Sequence, residues 1–508
     1  MTSATRLQEQ ATQEWQQRRF EEAIASLKRA AKAEPRNLDI LLDLGSSCGL
    51  RCHFDAAIRY FEEAFKKTTA EQRKEMSGVI GMRCHAFSRY DLAIQYLTRA
   101  ADLPRFPTGA AECLADSYEH LNRPVEAMAV IERALMADAD HAGLGLLKSR
   151  LLRLSNKHVE GELILRKVLA SGKDGSVRWR CFYELGHNLD GQGHYDQALD
   201  AFLEAKRILQ PSARPWWETW QGMRNRARQL REGLTSEHIA RWRAGLPELQ
   251  PARRLTVLCG QPRSGTTLLE QVLNAHPSIV STGETFLMHD ETYLPLCAGF
   301  PPDTPILNVL ESISFKEINS ARGHYFKRTE EILQTLLGER LVLDKNPSLL
   351  ALLPAILRIF PEAKFLIALR DPRDVCLSCF TLPLPPNPVA ATYMSLETTV
   401  QQFESAMNFW LKIRPKIPDG WLEVRYEDTV ADLASTARKT LDFLGIEWDE
   451  KVLAFHEHAR GKILRSPSYS DVVKPVHKRA IGRWRNYQKY FEPYLDRLEP
   501  FVKAFGYE

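Results

Sequence analysis

The sequence GQPRSGTT at residues 260–267 constrains the fold most strongly, because segments of two different periodicities flank it. The apolar run at residues 255–259 predicts a buried strand before it. The apolar residues after it recur with the spacing of one helix face: Leu268, Leu269, Val272 and Leu273. A loop between a strand and a helix N-terminus offers backbone N–H groups to an anion, and Gly260 and Gly265 permit the tight turn. The stretch therefore predicts a phosphate-binding loop in an α/β domain.

This loop has the glycine spacing of a nucleotide P-loop but not its lysine. Thr266 stands where that lysine would contact the β- and γ-phosphates of a nucleoside triphosphate. The loop takes its positive charge from Arg263 instead, while Thr266 and Thr267 supply hydroxyl donors. These residues favour a phosphate ligand that carries fewer charges than ATP with magnesium.

Polar residues follow each of the later apolar runs in this half of the chain. Glu284, Lys345, Arg370 and Tyr426 stand at or directly after runs that predict strands. In a parallel sheet, ligands bind beyond the carboxyl ends of the strands, so we expect these side chains to share one site. Ser378 lies in the helix predicted after Arg370, and a guanidinium and a hydroxyl so placed can hold one phosphate.

The first two hundred residues contain an internal repeat. Alanines recur at Ala23, Ala57, Ala93 and Ala127, with spacings of 34, 36 and 34 residues, and larger apolar residues follow each of them. Leu-Gly or Ile-Gly pairs occupy the first helix of three of the units, at residues 44–45, 80–81 and 185–186. The pattern resembles the tetratricopeptide repeat (TPR), in which two helices form each unit, and it predicts about six units.

These patterns give an α plus α/β fold class with three parts. We predict a TPR α-solenoid over residues 1–211, and a helical junction rich in Trp and Arg over residues 212–252. A P-loop-like α/β domain with a parallel sheet follows over residues 253–508.

Composition excludes several classes of protein. The net charge of +4 is too small to predict a nucleic-acid partner, and no apolar run is long enough to span a membrane. The N-terminus lacks a signal-peptide pattern, so we predict a cytoplasmic protein. Nine scattered cysteines argue against a disulfide framework. Cys376 and Cys379 have no second ligand pair, so we expect them to pack within a helix, and we predict no metal site.

The motifs of the second half resemble those of sulfotransferases that use 3′-phosphoadenylyl sulfate (PAPS), and most closely those of the tyrosylprotein sulfotransferases. The resemblance runs from about residue 255 to the C-terminus. It consists of PRSGTT, GET at 283–285, DKNP at 344–347, AKFL at 363–366, RD at 370–371, VRYE at 424–427, VKPV at 473–476 and AIGRW at 480–484. Two positions depart from the family pattern: Leu382 replaces a basic residue, and Arg483 replaces a lysine. The cysteines and the membrane anchor of those Golgi enzymes are not reproduced.

The resemblance implies roles for residues of this chain, with PAPS as co-substrate and no obligatory metal. The loop residues would bind the 5′-phosphosulfate: Arg263, Ser264, Gly265, Thr266 and Thr267. Arg370 and Ser378 would bind the 3′-phosphate. Further nucleotide contacts would come from Tyr426, Ser468, Lys474 and Arg483.

Glu284 is the candidate general base, and Arg263 and Lys345 would stabilise charge on the transferred group. A phenol, with a pKa near ~10, needs a base to lose its proton at neutral pH. His276 and His289 are alternative bases, although packed or surface positions suit both of them better.

Two other functions stay open at this point. One is an ATP-dependent P-loop kinase or NTPase, and the other is a non-catalytic TPR scaffold with a vestigial nucleotide site. The acceptor also stays open among a peptide tyrosine, a sugar, a lipid and a small phenol. The array could hold a peptide acceptor in its groove, or serve as a spacer or as the contact surface of a homodimer.

Overall fold

A computed structural model describes residues 2–17, 19–103, 106–172, 175–301, 303–460 and 469–508. The chain divides into two compact units. The first contains the described residues up to 157 together with residues 170–172, and the second contains residues 158–169, 175–460 and 469–508.

The first unit is helical. Its helices are α1 (Ser3–Gln16), α2 (Phe20–Ala33), α3 (Leu38–Leu50), α4 (Phe54–Lys67), α5 (Arg73–Ala86), α6 (Tyr90–Ala100), α7 (Thr108–His120), α8 (Pro124–Ala137) and α9 (Ala142–Leu154). Helices α1 to α8 pack as four successive pairs, as the repeat predicts. The alanines of the repeat lie in the core, and Ala57 and Ala93 are almost completely buried.

The glycine of each Leu-Gly or Ile-Gly pair lies against a side chain of the other helix of its unit. A Cβ atom at Gly45 in α3 would lie 2.5 Å from the ring of Phe61 in α4, which is inside van der Waals contact. A Cβ atom at Gly81 in α5 would lie 2.6 Å from Cγ of Leu97 in α6. The repeat pattern therefore places glycine where the partner helix leaves no room for a side chain.

Replacement of Gly45 by valine is expected to destabilise the first unit by about 2 kcal/mol, because the added methyl groups overpack against Phe61. The measurement is a shift of the urea unfolding midpoint. Gly109→Val in α7 is the matched control, because a Cβ atom there would meet nothing within 4 Å. Equal midpoints for the two variants would contradict the close approach at Gly45.

The second unit combines helices with one sheet. Its helices are α10 (His158–Ser171), α11 (Arg178–Gly191), α12 (Tyr195–Gly233), α13 (Ser236–Ala244), α14 (Thr266–Asn274), α15 (Leu294–Cys297), α16 (Ile306–Ser312), α17 (Phe315–Leu333), α18 (Leu353–Ile359), α19 (Pro372–Phe380), α20 (Pro388–Thr392), α21 (Leu396–Ile413), α22 (Tyr426–Ala431), α23 (Leu433–Leu444), α24 (Phe455–Ala459), α25 (Tyr469–Val472), α26 (Gln488–Phe491) and α27 (Leu495–Ala504). Its strands are β1 (Leu255–Gly260), β2 (Ile279–Gly283), β3 (Leu341–Lys345), β4 (Lys364–Leu369) and β5 (Trp421–Arg425).

Helix α12 passes through residue 211, where the sequence predicts the end of the array. Pro211 and Pro215 lie inside this helix of 39 residues, and Leu209 and Ala213 beside them are buried. The boundaries at residues 211 and 252 stay predictions.

Side chains of α12 contact residues that lie between β4 and β5 in the chain. Lys206 is 3% exposed and donates to the carbonyl oxygen of Tyr393 (2.5 Å). Burial lowers the pKa of this lysine to about 7. Trp220 donates its indole N–H to Oε1 of Gln402 in α21 (2.9 Å). Helix α12 is therefore fixed to the α/β part of the unit by specific polar contacts as well as by packing.

The sheet is parallel throughout, with strand order β2-β3-β1-β4-β5. Strand β1 is buried along its whole length, with β3 on one side and β4 on the other. On one face of the sheet, Leu258 and Leu366 share an apolar cluster with residues of α14 and α23. Strands β2 and β3 lie on one side of β1, and β4 and β5 lie on the other. The loop after β1 therefore lies at the topological switch point, where such sheets bind ligands.

Among the described residues, no helix combines the length and the apolarity that crossing a membrane requires. Cys376 and Cys379 are both buried in α19, and both thiols are free. This agrees with the predicted packing of the two cysteines within a helix.

Candidate active site

The loop after β1 turns sharply through three residues with positive φ. These are Gly260 (φ 147°), Arg263 (φ 71°) and Gly265 (φ 93°), and α14 begins directly after them. A Cβ atom at Gly260 would lie 2.5 Å from the carbonyl oxygen of Ala368, and one at Gly265 would lie 2.7 Å from the ring of Tyr426. Both glycines are therefore required by close contacts as well as by their backbone angles.

The hydroxyl groups of this loop lie inside the protein. Ser264 is 2% exposed, and its Oγ donates to the carbonyl oxygen of Gln261 (2.5 Å), which closes the turn. Thr266 and Thr267 occupy the first turn of α14, and both are buried. The backbone N–H groups in the first turn of this nine-residue helix are the donors for which the sequence predicts an anion-binding role.

Two arginines meet at the loop. Nε of Arg263 donates to Oγ of Ser378 in α19 (3.0 Å), and Nη1 of Arg370 donates to the carbonyl oxygen of Arg263 (3.1 Å). Burial lowers the pKa of the Arg263 guanidinium, and the charge of Arg370 lowers it further. Arg263 is half-buried and Arg370 is 8% exposed, so the two cations create a positive potential at the loop that an anionic ligand would relieve.

Arg370 is supported by a ring and by one distant carboxylate. Its guanidinium lies 4.9 Å from the ring centre of Tyr426, and its Nη2 lies 4.0 Å from Oδ2 of Asp374. Nε of Arg370 is buried and has no hydrogen-bond partner among the residues that the structure describes. A buried N–H donor without a partner fits a site where a phosphate oxygen would accept its hydrogen bond.

A second cluster of charges lies at the ends of β2 and β3. Nζ of Lys345 is within 2.5 Å of Oε1 of Glu284 and within 3.2 Å of Oε2 of Glu270. The lysine is 1% exposed, whereas the Glu284 side chain is 29% exposed. Burial acts to lower the pKa of Lys345, but the charges of Glu270 and Glu284 outweigh it and raise that pKa. The lysine is therefore held charged, and Glu284 is the partner that reaches solvent.

Sequence reasoning missed Glu270. It lies in α14 among apolar residues, is 4% exposed, and accepts a hydrogen bond from Oγ of Ser281 (2.7 Å). The sequence did contain a signal for Glu270: it is a glutamate on the apolar face of a predicted helix. A carboxylate in that position becomes buried and needs a charged or hydrogen-bonding partner. The neighbouring Asp344 accepts a hydrogen bond from Tyr325 (2.8 Å), and burial raises the pKa of this aspartate to about 6.

The segment 480–490 near the C-terminus contacts the end of β4 and helix α19. The carbonyl oxygen of Ala480 accepts from Nη2 of Arg370, and the backbone N–H groups of Gly482 and Trp484 donate to the carboxylate of Asp374 (2.6 and 2.9 Å). Arg483, predicted as a nucleotide contact, donates to Oδ2 of Asp190 in α11 (2.6 Å).

Two predicted nucleotide contacts and two alternative bases complete the set of predicted site residues. Lys474 is half-buried, and Ser468 lies outside the described residues. His276 is buried, and Nε2 of its ring is 3.0 Å from the carbonyl oxygen of Glu447. His289 lies at the surface, with Nδ1 2.7 Å from Oδ1 of Asp290. The positions of the two histidines agree with the packed and surface positions expected for them.

Two protein-family models match parts of this chain. Residues 256–450 match the model of the Sulfotransferase family, and residues 9–48 match the model of the Tetratricopeptide repeat. The predicted fold class is therefore confirmed: a TPR helical array precedes a parallel-sheet domain of the sulfotransferase type.

Particular relatives match over part of the chain. A putative protein-tyrosine sulfotransferase of Caenorhabditis briggsae is 27% identical over 270 residues, which are 50% of this chain and 89% of that protein. Protein-tyrosine sulfotransferase A of Caenorhabditis elegans is 27% identical over 269 residues, covering 49% of this chain and 66% of that protein. An uncharacterized protein of Aquifex aeolicus (strain VF5) is 23% identical over 327 residues, covering 62% of this chain and 40% of that protein.

The matched region thus spans less than two thirds of the length of two of these three relatives. The resemblance to sulfotransferases that the motifs predict is confirmed.

Proposed function

We propose that this protein is a PAPS-dependent sulfotransferase that transfers a sulfuryl group to an acceptor hydroxyl. One observation carries the proposal. Nη1 of Arg370 donates to the carbonyl oxygen of Arg263 inside a glycine turn that has no lysine. A phosphate in the turn and a second phosphate at Arg370 would then belong to one ligand. PAPS is such a ligand, because its ribose carries a phosphate at the 3′ position and a phosphosulfate at the 5′ position. The matched Sulfotransferase family supports the same assignment.

The residues present fit this co-substrate, which supplies the sulfuryl group. Ser264, Gly265, Thr266 and Thr267 would hold its 5′-phosphosulfate with hydroxyl and backbone donors. Arg370 and Ser378 would bind its 3′-phosphate, since Nε of Arg370 is buried with no partner among the described residues. Tyr426 packs against both Gly265 and Arg370, so it would fix the spacing between the two phosphate sites. Ser468 and Lys474 stay proposed contacts from the resemblance.

On the acceptor side, Glu284 would take the proton from the attacking hydroxyl. Its ion pair with Lys345 fixes the carboxylate in place, and Glu270 holds the lysine from the other side. Lys345 and Arg263 would then stabilise negative charge on the transferred group and on the leaving oxygen. Catalysis would come mainly from positioning and charge, as in phosphoryl transfer, without an obligatory metal.

We propose a tyrosine in a peptide as the acceptor, because two of the relatives described above are named protein-tyrosine sulfotransferases. A groove of the helical array would suit an extended peptide. Hydroxyl groups of a sugar, a lipid or a small phenol are the competing acceptors, and an assay of sulfuryl transfer from PAPS to each of them distinguishes these from a tyrosine peptide.

Thermal unfolding with nucleotides tests the donor. We expect 3′-phosphoadenosine 5′-phosphate (PAP), at a hundred times its Kd, to stabilise the protein by ~2.7 kcal/mol and to raise Tm. ATP with magnesium is expected to leave Tm unchanged, because the loop lacks the P-loop lysine. A shift with ATP–magnesium alone would indicate a kinase or NTPase, and no shift with either ligand would indicate a scaffold.

A further inference from the structure

Helices α11 and α12 contact the segment 480–490 through two aspartates. Oδ2 of Asp190 in α11 accepts from Nη2 of Arg483 (2.6 Å), and Oδ1 of the same carboxylate accepts from the hydroxyl of Tyr487 (2.6 Å). Asp196 in α12 lies within 2.8 Å of Nζ of Lys489 and accepts from the hydroxyl of Tyr490 (3.0 Å). Both oxygens of Asp190 are thus used by one short segment.

The other end of this segment is bound to the proposed 3′-phosphate site. Arg370 donates to the carbonyl oxygen of Ala480, and Asp374 accepts from the backbone N–H groups of Gly482 and Trp484. Residues 480–487 therefore connect Arg370 to Asp190 in helix α11. A change at Asp190 would reach Arg370 through this short stretch of backbone.

We propose that Asp190 is a positioning residue of the nucleotide site, acting through Arg483 and Tyr487. The inference rests on the proposed function for the identity of the nucleotide. Asp190 keeps residues 480–484 against the end of β4, where they hold the Arg370 guanidinium in place. It also holds Arg483 in its observed position. Helices α11 and α12 thereby contribute to nucleotide affinity, although neither helix carries a predicted nucleotide-binding residue.

The burial of the groups supports this role. The Asp190 side chain is 15% exposed and Tyr487 is 1% exposed, whereas the side chains of Arg483 and Asp196 are 36% and 66% exposed. The hydrogen bond from Tyr487 to the Asp190 carboxylate is thus shielded from water, and such a charge-assisted bond holds a segment more firmly than an exposed ion pair does. Asp190 is therefore the dominant contact, and Asp196 adds little.

The expected effect on nucleotide affinity depends on the fraction of molecules in which the segment 480–490 is in its observed position. If the segment leaves its place for part of the time, the apparent Kd of the nucleotide rises by the inverse of the fraction that stays. Loss of both hydrogen bonds in Asp190→Ala is expected to raise the Kd for PAP about tenfold. Tyr487→Phe removes one hydrogen bond and keeps the buried ring, so an increase of about threefold is expected. Asp200→Asn, an exposed charge on α12, is the control and should leave Kd unchanged.

The experiment measures PAP binding by calorimetry on the full chain, and amide hydrogen exchange in unliganded protein. The expected result is faster exchange at Gly482 and Trp484 in Asp190→Ala, with protection restored by PAP. Unchanged Kd and unchanged exchange in both variants would overturn the inference. Tighter PAP binding in Asp190→Ala would also overturn it, since Asp190 would then compete with a phosphate for Arg483.

Failure of the inference is separable from failure of the proposed function. If the wild-type protein does not bind PAP, the proposed function fails, while the exchange at Gly482 and Trp484 still tests the link to Asp190. If the wild-type protein binds PAP and the variants bind it equally well, only the inference fails. Tm of each variant, measured without ligand, identifies any general loss of folding.

Discussion

Replacement of Glu284 by glutamine is expected to lower kcat by about 10²–10⁴-fold, because the acceptor hydroxyl loses its general base. Binding of PAP should change by less than about threefold, since Glu284 lies at the end of β2 and the phosphate contacts lie on the loop after β1 and at β4. The measurement combines turnover of PAPS, with a tyrosine peptide as acceptor, and calorimetric titration of PAP. Fold should be kept, because Lys345 retains Glu270 as its partner.

Glu339→Gln is the matched control, because this glutamate is exposed and lies just before β3. It should have wild-type kcat and wild-type affinity for PAP. If Glu284→Gln loses PAP binding together with turnover, the carboxylate acts in binding or folding rather than as a base. If turnover stays normal, the base is another group, and His289 is the first to examine because its side chain is 42% exposed.

Replacement of Lys345 by methionine is expected to destabilise the second unit by about 3–5 kcal/mol and to abolish turnover. The stability loss arises because Glu270, 4% exposed, would remain buried without the cation that neutralises it. Glu284 can turn to solvent, so its contribution to the loss is smaller. Urea unfolding of the single variant measures the effect.

A double variant separates the buried charge from the volume of the side chain. Lys345→Met combined with Glu270→Gln removes both charges, and it should recover most of the lost stability without recovering turnover. If the double variant is as unstable as the single one, then packing rather than charge accounts for the loss. If Lys345→Met retains turnover, Lys345 has no role in stabilising the transferred group.

Sequence reasoning reaches the features of this protein that depend on neighbours in the chain. The turn at residues 260–267, the strand before it and the helix after it all follow from local patterns, and so do the polar residues at the strand ends. The glycine of each Leu-Gly pair follows from the repeat, and the close approach of Gly45 to Phe61 gives its physical reason.

Contacts between distant parts of the chain leave no such pattern. Asp190 and Arg483 are separated by 293 residues, and nothing near either one identifies the other as its partner. Glu270 is similar, because its pairing with Lys345 depends on how α14 packs against the sheet. Prolines mislead for a different reason: the packing of Leu209 and Ala213 keeps α12 helical where Pro211 and Pro215 suggest a break.

The unbroken course of α12 has a mechanical consequence. Helix α12 carries both Lys206 and Trp220, whose side chains donate hydrogen bonds to Tyr393 and Gln402 at two separate positions along the helix. We therefore expect a displacement of α12 to be transmitted to the neighbourhood of α20 and α21 through these two hydrogen bonds. A partner that bound helices α11 and α12 would act on the α/β part of this unit through the same two contacts.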